Sequence, residues 1–268
     1  LAYLQGYRRW LATLGLLMTP YYQDDKARIY NESCVRTLQR LEDDSIDVVV
    51  TSPPYNMNLR IRNGEYCSRQ IVKEFSTKYE EFDDNLPINE YYTFHSNILK
   101  ELLRVSDLVF YNIAVVTGSK RSVFKMIGEY ADYLKDIIIW DKGHGQPAMA
   151  DNVLNRRTEL ILVFEKHHAI SRQFVDQAQF DRGTLDDIWL IKRQRSQASS
   201  NTAVFPEELV QKILENFSEE GDLIYDPFMG TGTTAVVASR MGRNSIGSEI
   251  SKSLIDVAKM RLSQRTLW

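Results

Sequence analysis

An α/β fold, with a mostly parallel sheet covered by helices on both faces, is what this sequence predicts, and three observations carry it. Short strand-like runs alternate with segments that are apolar at helical spacing along most of the chain. One run, Ile46-Asp47-Val48-Val49-Val50, is strongly β-branched. Two runs end in stretches that suit a ligand site, Thr51 to Asn56 and Asp226 to Thr234, and the carboxyl edge of an open α/β sheet is where ligands bind. At 268 residues the chain makes one large domain, or one domain with a modest insert, and buries a sizeable core.

Taken in order, residues 1–17 read as an N-terminal extension. Arg8-Arg9 and the apolar stretch from Trp10 to Met18 have the outline of a signal peptide, but the run is interrupted and no small-residue cleavage site follows. Met18 is the expected working start, with 1–17 an appended helix. Ala27 to Tyr30 reads as a strand, then Val35, Leu38 and Leu41 as one helix face. After the strand at 46–50, residues 57–90 are polar and too long for a tight connection, so a functional loop or lid is expected. Tyr91, Phe94, Ile98, Leu102 and Val105 mark a helix over 90–105. A strand at 108–113, a helix at 122–133 and a strand at 137–140 follow, the last ending at Asp141-Lys142-Gly143. Residues 143–157 read as loop and 159–164 as strand. The stretch 165–200 lacks periodicity and is the candidate for an inserted recognition element. A helix at 206–216, a strand at 223–225, a helix at 235–240, a strand at 244–247 and a helix at 251–262 close the chain.

Composition is that of an ordinary soluble globular protein, and a net charge of −3 singles out no partner class. The distribution says more. Arg60, Arg62, Arg69 and Lys73 cluster in one segment, and Arg182, Lys192, Arg193 and Arg195 in another; each either lines a polyanion groove or is a solvated loop. Cys34 and Cys67 show neither metal-ligand spacing nor a disulfide framework, which suits a reducing cytoplasm. His95, His144, His167 and His168 form no ligand set, so no metal is expected and each histidine is read as solvent-facing or satisfied. Trp140 and Trp189 are read as packing residues.

The stretch Asp226-Pro227-Phe228-Met229-Gly230-Thr231-Gly232-Thr233-Thr234 follows Leu223-Ile224-Tyr225 and precedes a helix. Gly230 and Gly232 remove side chains where a ligand approaches, and Thr233 and Thr234 are placed to cap the helix. The spacing is neither the dinucleotide fingerprint nor a Walker loop, since no Lys follows the second glycine. Its weight comes from its distant partner, Thr51-Ser52-Pro53-Pro54-Tyr55-Asn56.

Together the two motifs resemble the amino-directed DNA methyltransferases, which use S-adenosyl-L-methionine, and the resemblance covers nearly all of residues 28–262. It implies a Rossmann-like methyltransferase sheet. With the Pro-Pro-Tyr motif first, the order looks like the permuted beta group. That implies a catalytic half at 18–164, target recognition at 165–200 and a cofactor half at 201–268. Trp140-Asp141-Lys142, Arg157-Thr158-Glu159, Phe205-Pro206-Glu207-Glu208-Leu209 and Gly247-Ser248-Glu249, the last followed by Ala258 and Arg261, resemble further motifs of the group. Asn31-Glu32 stands where relatives show Gly-Asp; Glu32 is carried over as the candidate near the adenine of the cofactor.

The chemistry fits these residue types. The lone pair of an exocyclic amine is delocalised into its base, so acceptors aimed at its hydrogens favour a pyramidal, nucleophilic nitrogen. The Ser52 hydroxyl and the carbonyl of Pro53 or Pro54 are such acceptors. Tyr55 offers a face on which an extruded base stacks. On the cofactor side, Asp226 orients the turn and the methionine amino group, Phe228 packs near the sulfonium, Gly230 and Gly232 admit the cofactor, and Glu249 takes the ribose hydroxyls. The other reading of Glu249 is a charge at a helix N-terminus. Arg60, Arg62, Arg182, Lys192, Arg193 and Arg195 are the DNA-binding candidates. Serine at the first motif position looks more like the cytosine-N4 enzymes, and adenine N6 is the alternative. No cysteine follows a proline, against ring-carbon methylation of cytosine. A protein or RNA methyltransferase is disfavoured by the motif order, and an idle DNA-binding subunit by intact Ser52, Tyr55, Gly230 and Glu249. The resemblance also leaves room for a cognate restriction endonuclease and a homodimer.

Overall fold

The computed structural model describes residues 19–56, 86–116, 118–146, 151–174, 178–194 and 205–264, and the backbone of 60–62, 65–66 and 74–75. The extension at 1–17, Met18, Cys67, Arg69, Lys73, Arg195 and the side chains of Arg60 and Arg62 lie outside the described residues, as does most of the expected lid.

The strands are β1 (Tyr22–Gln23), β2 (Ala27–Asn31), β3 (Ile46–Thr51), β4 (Arg60–Arg62), β5 (Glu65–Tyr66), β6 (Glu74–Phe75), β7 (Ser106–Ile113), β8 (Leu134–Gln146), β9 (Arg156–Glu165), β10 (Ile188–Leu190), β11 (Leu223–Asp226) and β12 (Asn244–Glu249). The described helices are α1 (Cys34–Leu38), α2 (Ile88–Val105), α3 (Lys120–Glu129), α4 (Glu207–Phe217), α5 (Thr233–Arg240) and α6 (Lys252–Gln264). One sheet has the order β1-β2-β12-β11-β3-β7-β9-β8-β10, and β4 pairs with β5 and β6 in a small antiparallel patch. From β2 through β12, β11 and β3 to β7 the sheet is parallel. Beyond it β9 runs antiparallel to β7 and β8, with β10 parallel on the edge.

The arrangement places the two motifs side by side. β3 and β11 are direct neighbours, with Val48 opposite Ile224 and Val49 opposite Tyr225. From β3 the sheet continues to β7 on one side, and from β11 to β12 on the other. Such a divergence leaves a crevice at the carboxyl ends of the two strands.

Strand alternation divides the core. Val49, Tyr111 and Tyr225 face one layer with Leu99 and Leu102 of α2 and Met126 of α3. Val48, Val50, Phe110 and Ile224 face the other, against Leu209, Ile213 and Phe217 of α4. A smaller cluster joins Ala235 and Val236 of α5 to Ile255, Ala258 and Leu262 of α6.

Several sequence expectations change here. α1 buries Cys34, Thr37 and Leu38 and exposes Val35, so its inner face is rotated from the one read. β8 runs to Gln146 and β9 starts at Arg156, so 143–157 is only partly loop. The charged ends of this pair hide the strands: they are held by ladder partners such as Asp141 opposite Thr158, not by apolar alternation. Residues 188–190, inside the unpatterned stretch, form an edge strand on β8, and Trp189 is fully buried. Phe174 and Phe180 pack on Phe217, at ring-centroid distances of 5.0 and 5.3 Å. Isolated anchors of this kind leave no periodic signal.

His95 is neither solvent-facing nor fully satisfied. Its Nδ1 meets the Tyr111 hydroxyl, while its Nε2 is buried with no partner among the described residues. Burial lowers its pKa to about 3. The unfolded chain, near 6.5, therefore binds the proton first as pH falls, and stability is lost progressively below pH 6.5. Between pH 7 and 5 this costs about 2 kcal/mol. His95→Gln should remove that increment, as read from urea unfolding at the two pH values; an equal pH loss in both proteins would contradict it.

Candidate active site

Thr51 and Asp226 are the last residues of β3 and β11, and they touch. Thr51 Oγ1 donates to Asp226 Oδ1 at 2.9 Å. The same oxygen accepts the Phe228 N–H at 3.1 Å, and Oδ2 accepts Thr234 Oγ1 at 2.7 Å. Burial pushes the Asp226 carboxyl up to about 6, against the pull of these donors. Asp226 thus braces the glycine turn to the Pro-Pro-Tyr strand.

The two glycines differ in what they do. Gly230 has φ +54°, and an added Cβ would meet nothing nearer than 4.0 Å. Its surroundings are open, as a cofactor would require. Gly232 has φ +78°, and an added Cβ would lie 2.7 Å from the Ala258 Cβ. Close packing on α6 therefore demands it, independently of any ligand. The helix-capping expectation is corrected: the N-cap of α5 is Gly232 itself, with no side-chain cap. The threonine hydroxyls point elsewhere, Thr234 to Asp226 and Thr233 to Arg261 Nη1 at 3.1 Å. Arg261 also donates to the Thr231 carbonyl at 2.7 Å and to Glu207 at 2.8 Å, clamping the turn from behind.

Glu249 ends β12. One carboxylate oxygen accepts the Gly230 N–H and the other the Ser251 N–H, each at 2.8 Å. The first bond ties it to the glycine turn. Phe228 is half-buried with its ring 5.9 Å from that of Phe94. Glu32 accepts from Thr37 Oγ1 at 2.8 Å and pairs with Arg40, so its carboxylate is held within its own segment. Asn31 Nδ2 donates to the carbonyls of Glu249 and Ile250 at 3.0 and 2.8 Å, which brings this segment to the cofactor strand end.

Beside the turn lies the Pro-Pro-Tyr loop. The Pro54 carbonyl accepts from Tyr91 at 3.3 Å, so the Pro53 carbonyl is the better candidate acceptor for a target amine. The Ser52 hydroxyl lies 3.1 Å from the Tyr55 hydroxyl, which donates to Glu159 Oε2 at 2.9 Å. Asn112 Nδ2 reaches Ser52, Tyr55 and Glu159 at 3.2, 2.7 and 2.9 Å. Lys142 closes the group at 2.9 Å from Glu159 Oε1. Burial lowers the Lys142 pKa and Glu159 opposes that shift.

Sequence reasoning gave no role to Asn112, Lys142 or Glu159. The available signal was a polar residue at the end of the apolar run of β7, facing the two motif fragments on β8 and β9. Of the DNA-binding candidates described, Arg182, Lys192 and Arg193 are exposed. Arg193, with Arg156, also opposes protonation of Lys142, which places its charge beside this cluster. No group of three His, Cys, Asp or Glu able to hold a metal occurs among the described residues, and no described helix is long and apolar enough to cross a membrane.

A family model for DNA methylases, N6_N4_Mtase, matches residues 46–260, a span that contains both motifs and the crevice between them. The chain belongs to this family. The family is S-adenosyl-L-methionine-dependent. The methylase is 27% identical to the type II methyltransferase M2.DpnII of Streptococcus pneumoniae, over 92% of this chain and 94% of that one. It is 26% identical to M2.LlaDCHI of Lactococcus lactis subsp. cremoris, over 93% and 94%. Its fold matches the PvuII DNA methyltransferase (cytosine-N4-specific) with TM-score 0.70 at 18% identity, covering 92% of the methylase and 90% of that chain. It also matches TTHA0409 of Thermus thermophilus, a putative DNA modification methylase complexed with S-adenosyl-L-methionine, with TM-score 0.60 at 21% identity, covering 89% and 94%.

Proposed function

We propose that this methylase transfers a methyl group to the N4 amine of a cytosine extruded from DNA. The observation that carries this is the Thr51–Asp226 hydrogen bond, which sets the Ser52 hydroxyl and the glycine turn on adjacent strand ends. Serine at the first motif position supports cytosine, and the PvuII enzyme of similar fold is named cytosine-N4-specific.

Bound S-adenosyl-L-methionine supplies an electrophilic methyl group on a sulfonium. The residues around it divide the remaining work. Open space at Gly230 admits the ligand, Glu249 takes the ribose hydroxyls, and Phe228 lines the apolar side. Ser52 and the Pro53 carbonyl accept from the target amine, while Tyr55 offers its ring to the base. Positioning supplies most of the rate, since no covalent intermediate on the protein is needed.

The test is incubation with labelled cofactor and duplex DNA, followed by digestion to nucleosides. N4-methyl-2′-deoxycytidine is expected; N6-methyl-2′-deoxyadenosine alone would reverse the base assignment. The exposed arginine beside the cluster is read as a phosphate contact. Arg193→Glu should weaken DNA binding about 10-fold at low salt and reduce the steepness of its salt dependence, measured by fluorescence anisotropy. Unchanged affinity at low salt would remove Arg193 from the interface.

A further inference from the structure

We propose that Glu159 sets the direction of the hydrogen-bond chain through Tyr55 and Ser52 and takes up, along it, the proton that the methylated amine releases. This rests on the placement of the target amine at Ser52.

The direction follows from valence. An ionised carboxylate only accepts, so the 2.9 Å contact from Tyr55 to Glu159 uses the single phenolic proton. Tyr55, having donated, can then only accept. The 3.1 Å contact between Ser52 and Tyr55 is therefore a hydrogen bond only if Ser52 donates. Its one proton spent and one lone pair facing Asn112 Nδ2 at 3.2 Å, Ser52 keeps a lone pair and no proton for the cleft, and a lone pair is what a target N–H requires. Glu159 enforces this order because it is itself fixed. Lys142 holds one oxygen and Asn112 the other, each at 2.9 Å, and the side chains of Lys142 and Glu159 are 3% and 13% exposed. Solvent has little access through which to substitute for either.

The same chain balances the reaction. The amine lone pair forms the new N–C bond as the C–S bond breaks, and that electron pair stays on sulfur as a neutral thioether. The nitrogen, now positive, gives a proton to Ser52 Oγ as Ser52 passes its own to the Tyr55 oxygen. Tyr55 passes its proton to Glu159 Oε2. One proton leaves the base, one arrives on Glu159, and no other reactant is needed. Glu159 acts through Tyr55 and Ser52, so it is a positioning residue.

Two variants test this. Tyr55→Phe keeps the ring, its packing and the Lys142–Glu159 pair but removes the middle link. The double variant Lys142→Met with Glu159→Gln removes both charges together, so no buried ion is stranded. Each should slow single-turnover methyl transfer about 30-fold or more. Cofactor affinity by calorimetry, and base extrusion read by 2-aminopurine fluorescence, should stay within about 3-fold of wild type in each, the range expected when only the chemical step loses its hydrogen bond. A Tyr55→Phe protein as fast as wild type overturns the chain by itself, whether or not the double variant folds. A folded double variant as fast as wild type would reduce the pair to a structural one. Absence of any methylated nucleoside from the wild-type reaction would instead defeat the assignment of function.

Discussion

Gly232→Val should give a protein that neither folds stably nor binds cofactor. The residue has φ +78°, and its added Cβ would lie 2.7 Å from the Ala258 Cβ and 3.3 Å from the Ala258 Cα. The second contact is with backbone, so no rotamer change relieves it; α6 must move. A β-branched residue in left-handed backbone costs about 2 kcal/mol, and overpacking adds about 1–3. That is a large part of the 5–15 kcal/mol typical of a domain. Gly230→Ala is the contrast. It meets no atom nearer than 4.0 Å, so it should fold with a loss of about 1 kcal/mol and lose affinity only for the ligand. Thermal melting and calorimetric titration separate the two. A Gly232→Val protein melting within a few degrees of wild type would show that α6 does not press on the turn.

Lys142→Met alone is the second large effect. It strands Glu159 in a pocket where the two side chains are 3% and 13% exposed. Removing one partner of a buried pair costs about 3–5 kcal/mol, more than removing both. The single variant should therefore melt well below the double variant described above, although it carries fewer changes. Denaturant titration of the two proteins is the measurement, and equal midpoints would show that water reaches Glu159.

The large outlines of the fold were legible because apolar runs report burial directly. β3, α2, α4 and β11 each carry an unbroken buried face, and both motifs sit where strand ends put them. The edge of the sheet was not legible. β10 is held by one buried side chain, Trp189, and the charged ends of β8 and β9 by pairing to each other. At the site, sequence located the loops but not the group behind them. Asn112, Lys142 and Glu159 come from three strands, β7, β8 and β9, and only the antiparallel pairing of those strands brings them together. The separate duties of Gly230 and Gly232 were likewise invisible, since α6 arrives from later in the chain. Local rules make caps of Thr233 and Thr234 because they ignore Asp226 and Arg261 as competing partners.

The bond between Thr51 and Asp226 spans 175 positions of sequence. A contact of such separation contributes only once a long loop has closed, at a cost in chain entropy. A nascent chain thus carries Ser52 and Tyr55 well before β11 exists to support them. Since β11 pairs with β3, made early, and with β12, made after it, the crevice is complete only once both late strands have joined the sheet.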